Sequence, residues 1–385
     1  MTERLNQLLH AEADRLDVPL PDPGAALAQG RRLRRRRRAA MVGAAAVVLT
    51  LVGGTALVVG NGDDDRALQP AGSSPDGLAF AIGNNVYVED AAVRATIDDT
   101  SVKSLYYTSA GVLVRHGNNP DSDGGGPQRF SLVTPDGAVK PVSVVTEETV
   151  HSADPAQPYL AFAEKNGDVT EVVVWNVETD SEEARVALPD GLRWGGWSAP
   201  PVSLSGDDVY VGTEDVALVV DWRSGSVTET DAIPPGFPQV FGGRAEGDGR
   251  VVDATTGETL LQVDGQDTYL SLSPDGRFAM ANTYDGDRPV TVYDVASGAH
   301  VDIEPASRGY GWSPDGELFT VDGHELTTCS PATGECATSD VELVEEPRDS
   351  EGVMTKCDAS GKCTPVGPPP DYSGELRLGG MTYES

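Results

Sequence analysis

The five histidines are the first residues to consider for chemistry, because an imidazole can act as a general base or bind a metal. They are scattered along the chain, at His10, His116, His151, His300 and His324. No pair has the H-E-x-x-H spacing of a zinc protease. The stretches "GWSAP" and "GWSPDG" also lack the second glycine of a G-x-S-x-G hydrolase turn. The sequence therefore predicts no catalytic residue, no cofactor and no metal ligand.

The loop "HGNNPDSDGGGPQRF" (116–130) contains two carboxylates, Asp121 and Asp123, that could offer oxygen ligands to calcium. An EF-hand loop needs a further acidic residue where Leu132 stands. The pattern therefore favours a plain surface loop over a calcium site.

The four cysteines form two similar segments, "CSPATGEC" (Cys329 to Cys336) and "CDASGKC" (Cys357 to Cys363). In each segment a glycine two residues before the second cysteine indicates a turn, so the two cysteines would face each other across a hairpin. Four cysteines allow three pairings, and this local geometry favours Cys329–Cys336 and Cys357–Cys363. A four-cysteine zinc site is the alternative, although it usually has closer C-x-x-C spacing. Disulfides indicate an oxidising location outside the cytoplasm.

The charge of the chain is strongly uneven. The whole sequence carries 28 basic and 61 acidic residues, whereas residues 1–38 carry nine arginines and five acidic residues. The remainder therefore has 19 basic and 56 acidic residues, or about −37. A body of this charge repels a phosphate backbone, so nucleic acid is not an expected partner.

Residues 39–60 form a run of 22 residues without a charge. As a helix this run would span roughly 33 Å, enough to cross roughly 30 Å of hydrocarbon. It is preceded by seven arginines and followed by "NGDDD", which by the positive-inside rule predicts a cytoplasmic N-terminus and an extracytoplasmic body. These topology determinants are Arg31, Arg32, Arg34, Arg35, Arg36, Arg37 and Arg38.

A cleaved secretory signal, including a loose twin-arginine signal, is the alternative to this anchor. Such a signal has a shorter basic segment, an apolar core of about 7–15 residues and an A-x-A cleavage site. The leader here is 38 residues long, and no A-x-A stands directly before Asn61. The sequence therefore favours an uncleaved single-pass membrane protein.

Beyond about residue 76 the chain consists of short valine-rich runs separated by Gly, Asp and Pro, which predicts an all-β body. A strand, a turn and a second strand recur about every 40 residues, and glycine takes the left-handed turn position in four of the five clearest copies. These copies have their turns at Asp180, Gly225, Gly257, Gly298 and Gly334. Weaker copies near residues 90 and 137 bring the count to about seven, with six or eight as alternatives.

A second turn, Ser-Pro-Asp-Gly, precedes two of these hairpins at 273–276 and 313–316. Proline and glycine suit successive positions of a turn between two strands. Two turns in fixed order imply a four-stranded unit. The pattern "W-S-P-D-G" followed by "V-Y-D-x-x-[ST]-G" resembles TolB-like and WD-repeat-like β-propellers of bacterial and other proteins, over residues 76–365 and most strongly over 190–340. The dipeptide Asp221-Trp222 reverses the WD order.

The tryptophans recur at equivalent places in these units. Trp197 and Trp312 both enter a unit before a serine, and Trp175 and Trp222 both stand where a strand meets its turn. Their recurrence predicts packing positions rather than ligand contacts.

The predicted organisation is an all-β propeller of about seven four-stranded blades behind one transmembrane helix. Residues 1–38 form a cytoplasmic basic leader, 39–60 the transmembrane helix, 61–75 a flexible stalk, 76–366 the propeller and 367–385 a Pro/Gly-rich tail. The tail either is free or closes the last blade. The hairpin at 357–363 is either an eighth blade or part of the ring closure.

Three functions are compatible with this organisation. The leading prediction is a non-catalytic module, anchored in the cell membrane, that binds an extracytoplasmic protein or glycan. The second is a propeller hydrolase or lyase with a site at the channel mouth, which perturbed carboxylates in the channel would favour. The third is a transmembrane sensor that signals through a cytoplasmic partner of residues 1–30.

Overall fold

The computed structural model describes residues 77–118, 126–147, 149–263, 268–283, 289–306, 309–344, 355–357, 363–365 and 376–381. All the regular elements in these ranges are β-strands. No helix among the described residues has the length and apolar character needed to cross a bilayer. The predicted span 39–60 and the seven arginines before it lie outside the described residues.

Seven four-stranded antiparallel sheets, which we number blades 1 to 7, account for most of the strands. Blade 1 consists of β1 (Phe80–Ile82), β2 (Asn85–Val88), β3 (Val93–Thr96) and β30 (Leu376–Leu378). Blade 2 consists of β4 (Ser101–Thr108), β5 (Gly111–Gly117), β6 (Gln128–Val133) and β7 (Val139–Thr146). Blade 3 consists of β8 (His151–Ala153), β9 (Tyr159–Asn166), β10 (Val169–Asn176) and β11 (Ser181–Ala187).

The next four blades follow in chain order. Blade 4 consists of β12 (Val202–Ser205), β13 (Asp208–Gly212), β14 (Ala217–Asp221) and β15 (Ser226–Thr230). Blade 5 consists of β16 (Gln239–Phe241), β17 (Arg244–Gly247), β18 (Arg250–Asp253) and β19 (Thr259–Gln262). Blade 6 consists of β20 (Thr268–Leu272), β21 (Phe278–Thr283), β22 (Val290–Asp294) and β23 (His300–Ile303). Blade 7 consists of β24 (Gly311–Trp312), β25 (Leu318–Asp322), β26 (Glu325–Cys329) and β27 (Cys336–Asp340).

The inner strands of neighbouring blades contact one another around a central channel. Strand β12 contacts both β8 and β16, and β30 contacts β4. The chain therefore forms a seven-bladed propeller of four-stranded blades, as predicted, with β30 as the inner strand of blade 1.

The recurring turns lie where the repeat placed them. The turns near residues 90, 137, 180, 225, 257, 298 and 334 all connect the two outer strands of a blade. Gly225, Gly257, Gly298 and Gly334 have φ between 69° and 73°, and Asp180 has φ of 51°. Only a residue that tolerates the left-handed region can close such a turn without strain, so the prediction from glycine spacing is confirmed.

The Ser-Pro-Asp-Gly turns join the two inner strands of blades 6 and 7. In the first, Gly276 N donates to Ser273 O at 2.7 Å, and the Ser273 hydroxyl donates to Asp275 Oδ1 at 2.7 Å. The hydroxyl also accepts from Phe278 N at 2.9 Å. The serine side chain thus holds the turn from inside, which explains its place in the repeat.

The core lies between neighbouring blades rather than within one. Alternate side chains of each strand face opposite sides of a blade, so a strand contributes to two interfaces. Between blades 3 and 4, for example, Val172 and Val174 pack with Val209, Val211 and the other members of one buried cluster.

The ring is closed by pairing the last strand of the propeller with the first. Phe80 faces Leu378, and Ile82 faces Leu376, in antiparallel register. The propeller therefore extends beyond the predicted boundary at 366, and part of the segment predicted as a tail belongs to blade 1. The hairpin of β28 (Thr355–Cys357) and β29 (Cys363–Pro365) is a separate two-stranded sheet, not an eighth blade.

The structure describes the side chains of one of the two predicted disulfides. Cys329 on β26 faces Cys336 on β27, and their sulfurs are bonded at 2.05 Å, so the first pairing is confirmed. The backbone register likewise pairs Cys357 with Cys363 across β28 and β29. The side chains of this second pair lie outside the described part of the structure, so its disulfide stays a prediction.

Replacing Gly379, which directly follows β30, tests the closure of the ring. A Cβ at this position would lie 2.5 Å from Tyr107 Oη and 2.9 Å from Ala79 O. We expect Gly379→Ala to lower the free energy of unfolding by about 2 kcal/mol, because backbone and a buried ring must move apart. Urea denaturation measures the change. The control Gly195→Ala has open space, with the nearest atom 4.0 Å away; equal losses in both variants would contradict the role of Gly379.

Candidate binding face and central channel

One face of the propeller carries the longer connections of the chain. Strands of a blade alternate in direction, so the blade-to-blade connections and the connections between the second and third strands share a face, which we call the connection face. It includes the segments 188–201 and 231–238, whereas the opposite face has tight turns such as 206–207 and 242–243. Long loops on a rigid sheet framework are where binding residues concentrate.

Two blade-to-blade segments of this face carry three aromatic residues that are linked by one ring contact and one hydrogen bond. Trp197 and Phe237 have their ring centroids 5.5 Å apart, and both rings are half-buried. Trp194 Nε1 donates to the backbone oxygen of Trp197 at 3.2 Å, and Lys165 Nζ lies 5.1 Å from the centroid of the Trp194 ring. We call Trp194, Trp197 and Phe237 the aromatic cleft.

Backbone contacts hold the cleft in place. Gly236 N donates to Thr213 O at 2.8 Å, and Gly236 has φ of 104°. A Cβ on Gly212 would collide with the backbone of Gly236, so a glycine at 212 allows the two segments to approach this closely. Arg193 anchors the other segment: its backbone oxygen accepts from Glu214 N at 2.8 Å, and its guanidinium is 2.8 Å from an Asp215 carboxylate oxygen.

Two members of the cleft, Trp197 and Phe237, line a cavity of about 80 Å³ in the central channel. Inner strands of blades 2 to 6 line it, together with Trp197, Phe237 and residues that follow β30. The described lining is aromatic, aliphatic or neutral and polar, with Tyr106, His151 and Gln239 among its members.

His151 is a buried neutral imidazole in this lining. Burial, and then the charge of Arg115, lower the pKa of His151 well below its usual value. Its Nε2 lies 2.8 Å from Thr146 Oγ1, and its ring packs against Phe130 and Phe162. Its Nδ1 is buried and has no hydrogen-bond partner.

Gln239, which also lines the cavity, has a similar unpartnered atom. Its side-chain oxygen, Oε1, is buried without a donor. Buried polar atoms are nearly always paired in folded proteins, but both of these atoms are inaccessible to water, so neither lies on the surface of the cavity.

A second polar cluster joins blades 1 and 2. His116 Nδ1 lies 2.5 Å from Asp99 Oδ2, and His116 Nε2 lies 3.0 Å from Ser131 Oγ. Arg129 donates to both oxygens of Asp99, at 2.7 and 2.8 Å. These distances match a serine, histidine and aspartate catalytic relay.

The burial of Ser131 and His116 indicates whether this cluster is catalytic or structural. Ser131 and His116 are 6% and 7% exposed, so a substrate carbonyl cannot reach the hydroxyl. Asp99 belongs to the connection between blades 1 and 2, while the other three residues lie on β5 and β6. The cluster therefore ties that connection to the sheet, which is a stabilising role.

The sequence analysis missed this cluster and the aromatic cleft. The residues of the cluster share no local motif, because Asp99 and Arg129 are 30 positions apart. The recurrence of Trp-Ser predicted the same packing role for Trp312 and Trp197. Trp312 is fully buried and donates to Ser271 Oγ at 3.0 Å. Trp197 packs against Phe237 and also borders the cavity, which its place in the repeat did not predict.

The other candidates from sequence fall into two groups. Asp121 and Asp123 lie outside the described residues. Within the described ranges, no three His, Cys, Asp or Glu side chains are grouped so as to hold a metal ion. Trp175 and Trp222 do pack, donating to Asp180 Oδ1 at 3.2 Å and to Gly206 O at 3.4 Å.

No protein family and no curated protein matches the chain. Among solved structures it is similar to TolB from Acinetobacter baumannii, at 12% identity and a TM-score of 0.39, over 69% of this chain and 63% of that one. It is also similar to the β-propeller domain of Cps50 (Swd1) from Myceliophteria thermophila, at 12% identity and a TM-score of 0.39, over 69% and 97% of the two chains. PorZ from Porphyromonas gingivalis is 13% identical with a TM-score of 0.43, over 76% of this chain and 41% of that one.

The cluster of Asp99, His116, Arg129 and Ser131 predicts that the free energy of unfolding falls in acid. Burial raises the pKa of Asp99, but hydrogen bonds from Arg129 and His116 outweigh it and lower the pKa to about 2. The resulting stabilisation is present above the ordinary carboxylate pKa, and it is lost as the pH falls through about 2.

We therefore expect the wild type to lose up to about 2 kcal/mol more than Asp99→Asn between pH 4 and pH 2. Urea unfolding at a series of pH values measures the difference. The control Asp190→Asn removes an exposed carboxylate and should follow the wild type. A wild-type profile that parallels that of Asp99→Asn would contradict the assignment.

Proposed function

We propose that this protein is a membrane-anchored, extracytoplasmic β-propeller that binds a protein or glycan ligand at the aromatic cleft of its connection face. The observation that carries the proposal is the half-buried pair of Trp197 and Phe237, which lines a cavity in the central channel. Tryptophan in a partly formed pocket is the residue type that most often anchors a binding partner.

The anchored topology is supported by sequence and by one disulfide. Residues 39–60 are long and apolar enough to span a bilayer, and seven arginines precede them. The Cys329–Cys336 bond fits a body on the oxidising side of that membrane.

Binding is favoured over catalysis by the chemistry of the two polar sites. The described residues that line the cavity are neutral side chains, with no carboxylate among them to act as acid or base. The arrangement of Asp99, His116 and Ser131 has relay distances, but its histidine and serine are buried. A hydrolase or lyase would need an accessible nucleophile or a pair of titrating groups near its substrate.

The anchor is tested by replacing all seven arginines of 31–38 with asparagine in the full chain. We expect the propeller to lose its outward bias, since positive charge holds the N-terminal flank inside. Protease accessibility of a C-terminal epitope in intact spheroplasts measures the orientation. Replacing Arg4 and Arg15 is the matched control and should change nothing; an unchanged orientation in the seven-site variant would contradict the proposed topology.

The cleft is tested by photo-crosslinking in intact cells. We expect Trp197→benzoylphenylalanine to form a discrete adduct, because the ring borders a binding cavity. The same replacement at Leu260, an exposed residue on β19, is the control and should form none. Adducts are detected as shifted bands on denaturing gels. Equal labelling at the two positions, or none at 197, would argue against a binding role for the cleft.

A further inference from the structure

We propose that the aromatic cleft docks a cationic segment of a partner protein, with a short aliphatic side chain against Trp197 and Phe237 and a lysine or arginine beside Glu214. This proposal rests on the proposed binding function and names the kind of partner that the same site takes. Four features support it: a carboxylate beside the cleft, the acidic segments around it, a cation on its third ring, and the size and charge of the cavity.

A carboxylate lies directly beside the cleft. Glu214 Oε1 is 4.0 Å from the position that a Cβ would have on Gly195, which stands between Trp194 and Trp197 in the chain. The backbone holds this residue in place, because Glu214 N donates to the backbone oxygen of Arg193 at 2.8 Å. The Glu214 side chain is 51% exposed, so its negative charge is open to a partner that contacts the rings.

The cation that contacts this carboxylate is shared with a second one. Arg193 Nε is 3.8 Å from Glu214 Oε2, whereas Arg193 Nη2 is 2.9 and 2.8 Å from the two oxygens of Asp215. The guanidinium is therefore bound mainly by Asp215, and one arginine faces two carboxylates. One negative charge remains in excess beside the cleft.

The segments that carry the cleft add further negative charge. Segment 188–201 also contains Asp190, which is exposed. Segment 231–238 contains Asp231, which is exposed as well. Arg193 is the only basic residue of the two segments. A cationic partner is therefore attracted near the cleft and, at long range, by a body that carries about −37, whereas an anionic partner is repelled on both counts.

One ring of the cleft already has a cation over it. Lys165 Nζ lies 5.1 Å from the centroid of the Trp194 ring, within the roughly 6 Å over which the negative face of an aromatic ring attracts a cation. A lysine or arginine of a partner can make the same kind of contact with Trp197. Lys165 and Arg193 do not reverse the local charge, because they stand against four carboxylates, those of Asp190, Glu214, Asp215 and Asp231.

The cavity suits a small apolar group rather than the cation itself. Its described lining contains no carboxylate, so a cation that entered would lose water without gaining a counter-ion. Its volume is about 80 Å³, below the roughly 150 Å³ of an apolar cavity that holds benzene. A short aliphatic side chain therefore fits it better than an aromatic ring, and the cationic group stays outside, beside Glu214.

The test measures the binding of synthetic peptides to the full chain in detergent micelles. The cationic probe is Gly-Lys-Lys-Val-Lys-Lys-Gly with both ends blocked; an acidic probe has glutamate in place of lysine, and a third probe has glycine in place of valine. Isothermal titration calorimetry measures affinity, and tryptophan fluorescence reports contact with the cleft. We expect the cationic valine peptide to bind and the other two to bind about tenfold more weakly or less. Added salt should weaken its binding.

Two variants assign this binding to the cleft. Trp197→Ala should weaken binding of the cationic peptide about tenfold, because it removes a ring that the aliphatic side chain contacts. A triple variant of the carboxylates around the cleft should also weaken it about tenfold, because the lysines lose their local partners. Its changes are Asp190→Asn, Glu214→Gln and Asp231→Asn. Thermal unfolding by circular dichroism checks that each variant is folded.

The chain offers a matched control for the triple variant. Glu178, Glu258 and Glu335 are exposed and lie in turns between the third and fourth strands of their blades, on the opposite face. Replacing all three with glutamine removes the same total charge and should leave binding at the wild-type level. Equal weakening in both triple variants would show that the peptide responds only to net charge, and it would overturn the assignment of the site.

The remaining outcomes separate this proposal from the proposed function. If the cationic peptide does not bind but Trp197→benzoylphenylalanine forms its adduct in cells, the partner class is wrong and the binding function stands. The same holds if triacetylchitotriose, used as a glycan probe, binds in place of the peptide. If the acidic peptide binds as tightly as the cationic one, the charge argument and the proposal both fall. If no peptide, saccharide or crosslink is found, both the partner class and the binding function are wrong.

Discussion

The pairing of β1 with β30 is the contact on which the rest of the ring depends, since it joins residue 80 to residue 378. An unpaired β1 would leave an open sheet edge, which invites aggregation. Closure also brings blade 1 against blade 2, where Tyr107 Oη accepts from Ala79 N at 2.9 Å. Burial raises the pKa of Tyr107, so the phenol stays protonated and the contact stays neutral. A closed ring then fixes the inner strands around the channel.

The acidic composition shapes how the few cations are used. Arg185 bonds three carboxylates at once, with Glu164 at 2.6 Å, Glu171 at 2.8 Å and Glu182 at 2.7 Å. These side chains lie on neighbouring strands of blade 3 and raise the pKa of the guanidinium. Each exposed pair is worth little alone, but one arginine among three acids reduces repulsion across the sheet. Asp99 and Arg129 do the same at a less exposed position.

The cavity in the channel differs in charge from this exterior. The described residues that line it are apolar or neutral, and they include His151 and Gln239, which each begin an inner strand. The inner strands position these side chains, while the segments 188–201 and 231–238 carry Trp197 and Phe237 to the same cavity. This arrangement suits ligand binding, because the closed ring already fixes the inner strands. Few groups then lose conformational freedom when a ligand binds.

Local physical chemistry explains what the sequence alone determined. Glycines at left-handed turn positions, the Ser-Pro-Asp-Gly turns and the Cys329–Cys336 hairpin depend on residues only a few positions apart, so their spacing predicted about seven four-stranded blades. Other features depend on contacts between distant segments. They are the pairing of β1 with β30, the Asp99 cluster, and the different burial of Trp197 and Trp312. Such contacts leave no periodic pattern in the sequence. The packing of neighbouring blades determines which loop lies over the channel. The tertiary structure alone therefore decided where the ring closes and which residues face the cavity.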